Sequence, residues 1–418
     1  MSYPLNRVAN EDALEIVQVG FESQRGIPAT PDHKWYGKFV TTEDRPLVDV
    51  PEYDGSFDAY NDPVYGPMTF GGTYNEPMTY ENYPNLCRAL VKGGSTGVTD
   101  AEATPGYVYD KAPSRFVDDL ESATIEHGVP GMPKRAEMVL FNDATISADI
   151  DDSEAVWKWT GNLWVRKDEL KAATSVTATS GSTTTLVKTA AGWTTNQFAG
   201  AYALMTSGAT TANIGEAIQI ASNDATTLTF VGALPNAVAS TDVFEISGTF
   251  TAGISDTTRE RIAAPGTKLY IGNEGDTTGD AGDEVKGQFI SFSVTLNNAL
   301  GAKRFMDDTD YMSRKLGRGK RIITGQVRLE FDTRKEYDNY RNKAWRRIRI
   351  EQLGSVIDSG AGTHKTARID IHRAYWGGYP QDVRGTNITA TVPFWAYLDS
   401  VSGLRANFYA KNELATLP

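Results

Sequence analysis

The chain has 418 residues, of which 40% are hydrophobic and 22% charged, so it can bury a substantial core and form two or three domains. Its formal net charge of −12 argues against a conventional nucleic-acid binder, which needs cations to displace the counterions of phosphates. The single cysteine excludes an intrachain disulfide framework, and no apolar run is long enough to cross a bilayer.

A polar, aromatic string near residue 80 returns in the second half of the chain. Residues 80–85 read YENYPN and residues 337–342 read YDNYRN, which suggests one structural unit used twice. In both copies aromatic and apolar residues recur at intervals of three and four, which predicts the packing face of an amphipathic helix. These faces comprise Tyr80, Tyr83, Cys87 and Val91 in the first copy, and Tyr337, Tyr340, Ala344 and Ile348 in the second.

Weaker matches lie on both sides of the string, in the same order in both halves. They pair residues 37–39 with 287–289, 66–70 with 325–329, 123–126 with 367–370, and 145–150 with 387–392. Their shared order favours a duplication, and the alternative is that short matches of this kind are coincidental. Cys87 lies on the apolar helix face, which predicts a buried structural thiol rather than a nucleophile.

The first region of the chain, up to about residue 170, is rich in Tyr, Pro, Gly and acidic residues. It ends in residues 156–165 (VWKWTGNLWV), which predict a strand pair with Gly161 and Asn162 in the turn. Trp157 and Trp159 share one face of the first of these strands because side chains alternate along a strand.

The second region, from about 172 to 248, is rich in Thr, Ser, Ala and Gly and nearly uncharged. Short alternating runs such as residues 227–230 (TLTF) and 243–246 (VFEI) are separated by turn residues, which predicts a small β-sandwich or barrel. A disordered linker is the alternative, but a linker does not need Trp193, Phe198 and Phe244.

The third region holds the second copy of the string. Residues 290–296 (ISFSVTL) and 326–331 (QVRLEF) alternate as strands before the string, and residues 367–371 and 388–392 alternate after it. The sequence therefore predicts an α+β, mostly β fold with antiparallel sheets. It divides into a first domain with an N-terminal arm at 1–171, an inserted all-β domain at 172–248 and a second domain at 249–418.

This order of elements resembles the tail tube (major tail) proteins of long-tailed bacteriophages. The likeness lies in the early Gly-rich β segment, the helix at residues 80–83, and residues 144–150 closing into residues 157–164. Residues 193–200 and 218–223 resemble the β-sandwich modules, of immunoglobulin-like type, that decorate some tubes. The resemblance implies two tandem tube-type β-sandwich or barrel domains, each with a flanking helix, and one inserted module.

The resemblance also implies a structural virion protein of a siphovirus-like phage whose sheets join side by side into rings. Two tube domains per chain imply a homotrimeric ring with pseudo-six-fold symmetry, with a hexamer as the second choice. The rings stack into a tube whose β-barrel lumen conducts DNA during ejection without binding it specifically. The implied partners are other copies of the chain, the tape measure, the terminator and baseplate components, and the protein does not enter a membrane.

The resemblance also implies a location in the virion tail, after assembly in the cytoplasm of the host bacterium. The start of the sequence has neither the basic residues nor the apolar run of a signal peptide, which agrees with folding in a cytoplasm. An acidic surface that repels phosphates would suit a conduit for DNA, so we expect acidic strand faces toward the lumen.

Clustered carboxylates make two weak candidates for a cation site. Calcium prefers several carboxylate oxygens, but the first group lacks the spacing of an EF-hand loop, so a solvated or lumen-facing acidic turn is favoured there. The second group lies in a Gly/Asp-rich stretch that occurs once, and a mobile surface or inter-ring loop is favoured for it. No cofactor is predicted. The candidate ligands are Asp149, Asp151, Asp152 and Glu154 in one group, and Asp280 and Asp283 in the other.

A basic string contrasts with the acidic whole. It is either a nucleic-acid patch or, as we favour, a surface that meets an acidic surface of a neighbouring subunit. Its members are Arg314, Lys315, Arg318, Lys320 and Arg321.

The sequence predicts no enzyme, because none of the common nucleophile, metal or phosphate-binding motifs occurs in it. A depolymerase with a carboxylate pair remains an alternative without a supporting motif. A second alternative is a carbohydrate-binding or adhesive surface protein that uses Trp193 and other aromatic side chains.

Overall fold

A computed structural model of the chain describes residues 15–51, 60–66, 68–91, 94–100, 106–113, 120–129, 133–171, 174–254, 258–274, 284–305, 313–331, 333–360, 362–384 and 387–417. Strands dominate these residues, and two α-helices occur among them. The prediction of a mostly β fold is therefore confirmed. We call residues 15–171 the first half, residues 174–247 the insert, and residues 258–417 the second half.

The first half contains one α-helix, α1 (Tyr83–Val91), which lies between its sixth and seventh strands. Its strands are β1 (Ile16–Phe21), β2 (His33–Trp35), β3 (Lys38–Asp44), β4 (Leu47–Pro51), β5 (Tyr60–Tyr65), β6 (Thr69–Pro77), β7 (Val98–Thr99), β8 (Tyr107–Lys111), β9 (Ala123–Gly128), β10 (Lys134–Asp149), β11 (Lys158–Val165) and β12 (Lys167–Leu170).

The insert contains seven strands and a short 3-10 helix, Thr211–Asn213. Its strands are β13 (Thr174–Thr177), β14 (Ser180–Gly181), β15 (Thr185–Val187), β16 (Tyr202–Ser207), β17 (Ala217–Asn223), β18 (Thr227–Phe230) and β19 (Val243–Ile246).

The second half contains α2 (Lys335–Arg341) between its fifth and sixth strands. Its strands are β20 (Lys268–Asn273), β21 (Phe289–Asn297), β22 (Leu300–Ala302), β23 (Leu316–Arg318), β24 (Ile322–Glu330), β25 (Arg346–Asp358), β26 (Thr363–Trp376), β27 (Gln381–Arg384), β28 (Asn387–Ala396) and β29 (Ala406–Asn412).

One long sheet runs through both halves. Its seven strands follow the order β3–β6–β11–β10–β21–β24–β28, and every neighbouring pair is antiparallel. The sheet passes from the first half to the second where β10 pairs with β21, from Asp143 opposite Asn297 to Asp149 opposite Ser291. Following the described pairings never leads back to a starting strand, so the sheets are open.

Each half adds a second ladder that covers its share of the long sheet. In the first half, β10 pairs through its early residues with β9 and β12, and β9 continues to β1 and β2. In the second half, β26 pairs with β25 and β29, and β25 continues to β20. One hydrophobic core fills the space between the layers and extends across both halves.

The same pattern of strand pairing therefore occurs twice. The corresponding strands of the two halves are, pair by pair, β1 and β20, β3 and β21, β6 and β24, β9 and β25, β10 and β26, β11 and β28, and β12 and β29. A hairpin follows the first long-sheet strand in each half, β4–β5 after β3 and β22–β23 after β21. The helices α1 and α2 stand at corresponding points between these strands.

A buried carboxylate holds the point where β10 passes from one ladder to the other. Met138 has a φ of +52°, in the left-handed region, and it lies where the pairing with β9 shifts register. Glu22 accepts hydrogen bonds from the Met138 amide at 2.8 Å, the Gly26 amide at 2.6 Å and the Ser122 hydroxyl at 2.5 Å. Four donors, with Thr124 as the fourth, satisfy this carboxylate, so the bend costs little in unmet hydrogen bonds.

The two helices only partly match the predicted packing faces. Tyr80 precedes α1, while Tyr83, Cys87 and Val91 lie in it, and all four are buried. The second prediction was wrong for Ala344 and Ile348, because α2 ends at Arg341 and Ile348 lies in β25. The first copy of the string therefore lies at the start of α1, whereas the second copy lies at the end of α2. The two copies do not occupy corresponding positions.

Other sequence predictions also need correction. Residues 158–165 form the single strand β11 rather than a hairpin, with Gly161 and Asn162 in its middle. Residues 123–126 lie in β9, which corresponds to β25 and not to residues 367–370 in β26. Residues 145–150 belong with β26 rather than with residues 387–392 in β28.

The insert has a sheet and a core of its own. Its strands follow the order β13–β19–β16–β17–β18–β15–β14. Phe198 packs in the core, and Trp193 meets its ring edge to face at 5.6 Å. The predicted short strands are present, and β16, which the sequence analysis missed, lies between β17 and β19.

Candidate assembly surface

The face of the long sheet that points away from the core carries small polar side chains. Side chains alternate between the two faces of a strand, and the register lines up the outward residues in rows across the sheet. The longest of these rows comprises Lys38, Asn75, Thr160, Thr145, Thr295, Thr324 and Trp395. The hydroxyl oxygens of Thr145 and Thr295 are 2.7 Å apart, so this row is hydrogen-bonded across the junction of the halves.

This outward face is mainly polar. Ser147 and Ser293 continue the hydroxyl-bearing pattern in the next row. Carboxylates and cations are interspersed on this face, and Asp143 accepts a hydrogen bond from the side-chain amide of Asn162 at 2.7 Å. The charged residues of the face are Asp44, Asp143, Asp149 and Glu330, and Lys38, Lys158 and Arg328.

Lys158 pairs with two carboxylates of the acidic turn after β10. The ammonium of Lys158 lies 2.7 Å from Asp152 and 3.0 Å from Glu154. Asp149 accepts the backbone N–H of Asp151, as in a tight turn. The described residues contain no cluster of three His, Cys, Asp or Glu side chains placed to hold a metal ion. The second candidates, Asp280 and Asp283, lie outside the described residues.

The two halves are joined by buried polar contacts as well as by the long sheet. Asn298 donates to the carbonyl oxygens of Leu90 at 2.9 Å and Phe141 at 3.2 Å. Tyr83 at the start of α1 donates to the carbonyl of Arg368 in β26 at 2.9 Å. The second half therefore covers α1, and this explains why α1 is buried although α2 is not.

A charged cluster closes the same junction at its other end. The Lys365 ammonium is 2.8 Å from Glu81, 3.4 Å from Glu260 and 3.6 Å from Glu413. Lys365 and Glu81 are both buried, and a buried pair of this kind is costly to break because one charge would be left without its partner.

Part of the predicted basic surface belongs to this internal junction. Arg321 and Arg318 donate to the side-chain oxygen of Asn298 at 2.9 Å and 3.4 Å. Arg314 is exposed and its side chain borders Gly26 of the first half, while Lys315 and Lys320 are exposed. The string therefore contributes to contacts within the chain as well as to the surface.

Each end of the long sheet has a strand edge without a described partner. At one end, β3 pairs with β6 on one side alone. At the other end, β27 and the last residues of β26 pair with β28 on one side alone. Val383 in β27 is 66% exposed, and its N–H is bonded to the side chain of Asp382 instead of to β28.

Two titratable groups buried in the first half have shifted pKa values that fit a structural role. Asp168 accepts hydrogen bonds from His127 at 2.9 Å and Thr41 at 2.6 Å, and these contacts hold its pKa below the usual value despite burial. Cys87 is fully buried, and burial raises the pKa of its thiol, as expected for a structural rather than a nucleophilic cysteine.

Comparison with known proteins does not assign the chain to a family. No protein-family model matches it, and no curated protein is similar to it. Within the described residues, neither helix has the length and apolar character needed to cross a membrane.

Proposed function

We propose that this protein is a structural subunit whose copies join head to tail into closed rings, and that the rings stack into a tube. The observation that carries this proposal is the repeated strand pairing of the two halves. The pairing of β10 with β21 is a complete side-by-side junction between two similar units, and it is formed inside one chain.

The strand edges of β3 and β27 that have no partner among the described residues provide the same junction between chains. The end of β26 together with β27 occupies in the second half the place of the later part of β10, and β3 occupies the place of β21. Antiparallel pairing of β27 in one copy with β3 in the next extends the long sheet from chain to chain. A contact between two different surfaces closes into a ring or continues as a filament, and ring closure leaves no sheet edge exposed.

The resemblance to phage tail tube proteins sets the size of the ring that we propose. Six similar units, each consisting of one half, require three chains, and a six-chain ring is the second choice. The covalent link between two units halves the number of junctions that form between separate chains and raises the effective concentration at the linked one.

The polar face of the long sheet suits the wall of a DNA conduit. It presents hydroxyl and amide groups with interspersed carboxylates and cations, so it offers no continuous row of cations to phosphates. We place this face toward the lumen and the insert on the outside. In this proposal the protein belongs to the tail of a virion and contacts other tail proteins at the ends of the tube.

The substitution Val383→Pro tests the edge pairing. Proline removes an N–H that the described structure does not use in the ladder with β28, so the fold should tolerate it while the free edge loses a donor. We expect a monomeric protein with an unchanged circular dichroism spectrum, whereas Val383→Thr, the matched control, should assemble normally. Rings formed by the proline variant at wild-type concentrations would contradict pairing through β27.

A further inference from the structure

The second half exposes a cluster of aromatic side chains at one end of the long sheet. Trp395 is 44% and Tyr397 is 45% exposed. The ring of Trp345 lies 5.5 Å from that of Tyr375 and 5.3 Å from that of Tyr397. We call Trp345, Tyr375, Trp395 and Tyr397 the aromatic patch. Aromatic residues grouped at the surface are typical of interaction sites.

The strand register identifies the corresponding place in the first half. Trp395 in β28 pairs with Thr324 on one side and Tyr375 on the other. Trp164 in β11 pairs with Gly71 on one side and Leu140 on the other. Because these strands hold corresponding places in the two halves, Trp395 corresponds to Trp164 and Tyr375 corresponds to Leu140.

The corresponding place in the first half is covered by a hairpin from the second half. Leu300 and Leu316 of the β22–β23 hairpin pack, together with Trp164, against a small core that contains Leu120 and Leu140. Leu140 is 1% exposed as a result of this packing. The hairpin therefore crosses the junction between the halves and lies on the unit next to its own.

The β4–β5 hairpin holds the same position in the first half, but the side chains described at its base are exposed. Leu47 begins β4 three residues after β3 ends, as Leu300 begins β22 three residues after β21 ends. Leu47 is 53% and Tyr65 is 67% exposed. They face each other across the hairpin, and the Arg45 guanidinium lies 5.0 Å from the centre of the Tyr65 ring.

Leu47 cannot reach the aromatic patch of its own chain. It follows β3, the first strand of the long sheet, whereas Trp395 lies in β28, the seventh. Six strand spacings of about 4.8 Å separate these strands by roughly 29 Å. A contact like the one made by the β22–β23 hairpin therefore requires a second copy of the chain.

We propose that the β4–β5 hairpin of one copy covers the aromatic patch of the next, with Leu47 and Tyr65 placed as Leu300 and the β23 strand are placed inside the chain. This inference rests on the head-to-tail rings of the proposed function and assigns the second contact of the same junction. The charges agree with it, since Glu43 and Asp44 are exposed beside the hairpin and Lys343 is exposed two residues before Trp345.

Cross-linking of a double-cysteine variant tests this contact. We would combine Leu47→Cys with Trp395→Cys in one chain and treat the assembled protein with a short bis-maleimide, since the native Cys87 is fully buried. We expect a ladder of covalent dimers and trimers on a denaturing gel. Leu300→Cys with Trp164→Cys should cross-link within the chain and give no ladder. Leu47→Cys with Val231→Cys, on the exposed surface of the insert, should not cross-link.

The outcomes separate this inference from the function on which it rests. Assembly is followed in parallel by electron microscopy and by light scattering of untreated protein. Rings without a ladder for the 47/395 pair, or with a ladder of equal intensity for the 47/231 pair, would overturn the hairpin contact while leaving ring formation intact. A protein that never forms rings would overturn both. In addition, Leu47→Asp should raise the concentration needed for assembly at least tenfold, whereas Leu47→Met should not change it.

Discussion

At the scale of single residues, the first half contains a buried carboxyl group whose raised pKa should make the stability of the fold depend on pH. Glu76 is fully buried and is bonded to the hydroxyl of Tyr74 and to the side-chain amide of Asn82, at 2.8 Å and 2.6 Å from its two oxygens. Burial raises the pKa of Glu76 to about 7, and these hydrogen bonds only partly offset that rise. The group lies beside the first turn of α1, so it ties the long sheet to the helix.

The raised pKa of Glu76 predicts a stability that falls as the pH rises. The folded state holds the proton up to about pH 7, whereas the unfolded chain releases it near the ordinary value of 4.5. The contribution is therefore complete below pH 4.5 and is lost as the pH rises toward 7, at up to roughly 1.4 kcal/mol per pH unit.

The variant Glu76→Gln should lack this dependence. Urea unfolding at pH 5, 6, 7 and 8 measures the free energy of unfolding of both proteins, and the wild type should lose stability between pH 5 and 7 relative to the variant. Glu43→Gln, which changes an exposed carboxylate of β3, serves as the control and should follow the wild type. Parallel pH profiles of wild type and Glu76→Gln would show that Glu76 is not the titrating group.

At the scale of elements, alternation of polar and apolar residues was a reliable guide and local turn signals were not. The alternating run at residues 290–296 forms β21, and the runs at 227–230 and 243–246 form β18 and β19. Gly161 was read as a turn residue, but it lies in mid-strand. A glycine is needed there because the ring of Phe141 occupies the space that a Cβ would need. That requirement arises from packing between strands, so no local pattern reveals it.

The helical spacing of the second string continues past the point where α2 ends. Lys343 has a φ of +54°, a left-handed conformation that ends a helix. After it, residues 346–350 alternate between buried and half-buried, the period of a strand. Tyr337, Tyr340, Ala344 and Ile348 fit a helical face by spacing alone, which shows that spacing without a termination signal overextends a helix.

The assembly residues were harder to predict than the strands. The basic string was visible in the sequence, but its contact with Asn298 depends on the pairing of β10 with β21. The aromatic patch brings together Trp345 and Tyr397, which lie 52 positions apart in the sequence. Only the register of β26 and β28 shows that Tyr375 and Trp395 of this patch correspond to the covered site of the first half.

The insert should be removable as an element. Its two ends meet, since a Cβ on Gly248 would lie 3.0 Å from the Cβ of Lys171, and its core is separate from that of the halves. We expect a protein in which residues 172–247 are replaced by a short Gly-Ser linker to keep its thermal unfolding midpoint within a few degrees and to form rings of smaller outer diameter. Loss of folding in this variant would mean that the insert stabilises the halves directly. As a control, deletion of residues 217–223 removes only the central strand β17 and should disrupt the insert.

At the scale of the whole molecule, we propose that the internal junction is the template for a junction between copies. One chain already forms one complete contact between its halves, with a shared sheet, a buried helix and a crossing hairpin. It leaves the complementary components of a second such contact at its two ends. These are the edges of β3 and β27 that have no described partner, the less buried α2, the β4–β5 hairpin and the aromatic patch. A molecule with one junction satisfied and one open is suited to polymerise with its own copies.

Electron microscopy of the purified protein across a range of concentrations tests this account most directly. We predict rings of three chains whose inner wall repeats six times, and stacks of these rings at high concentration, in which β27 of one chain lies beside β3 of the next. A protein that remains a monodisperse monomer at every concentration, or rings in which β3 and β27 both face solvent, would contradict it.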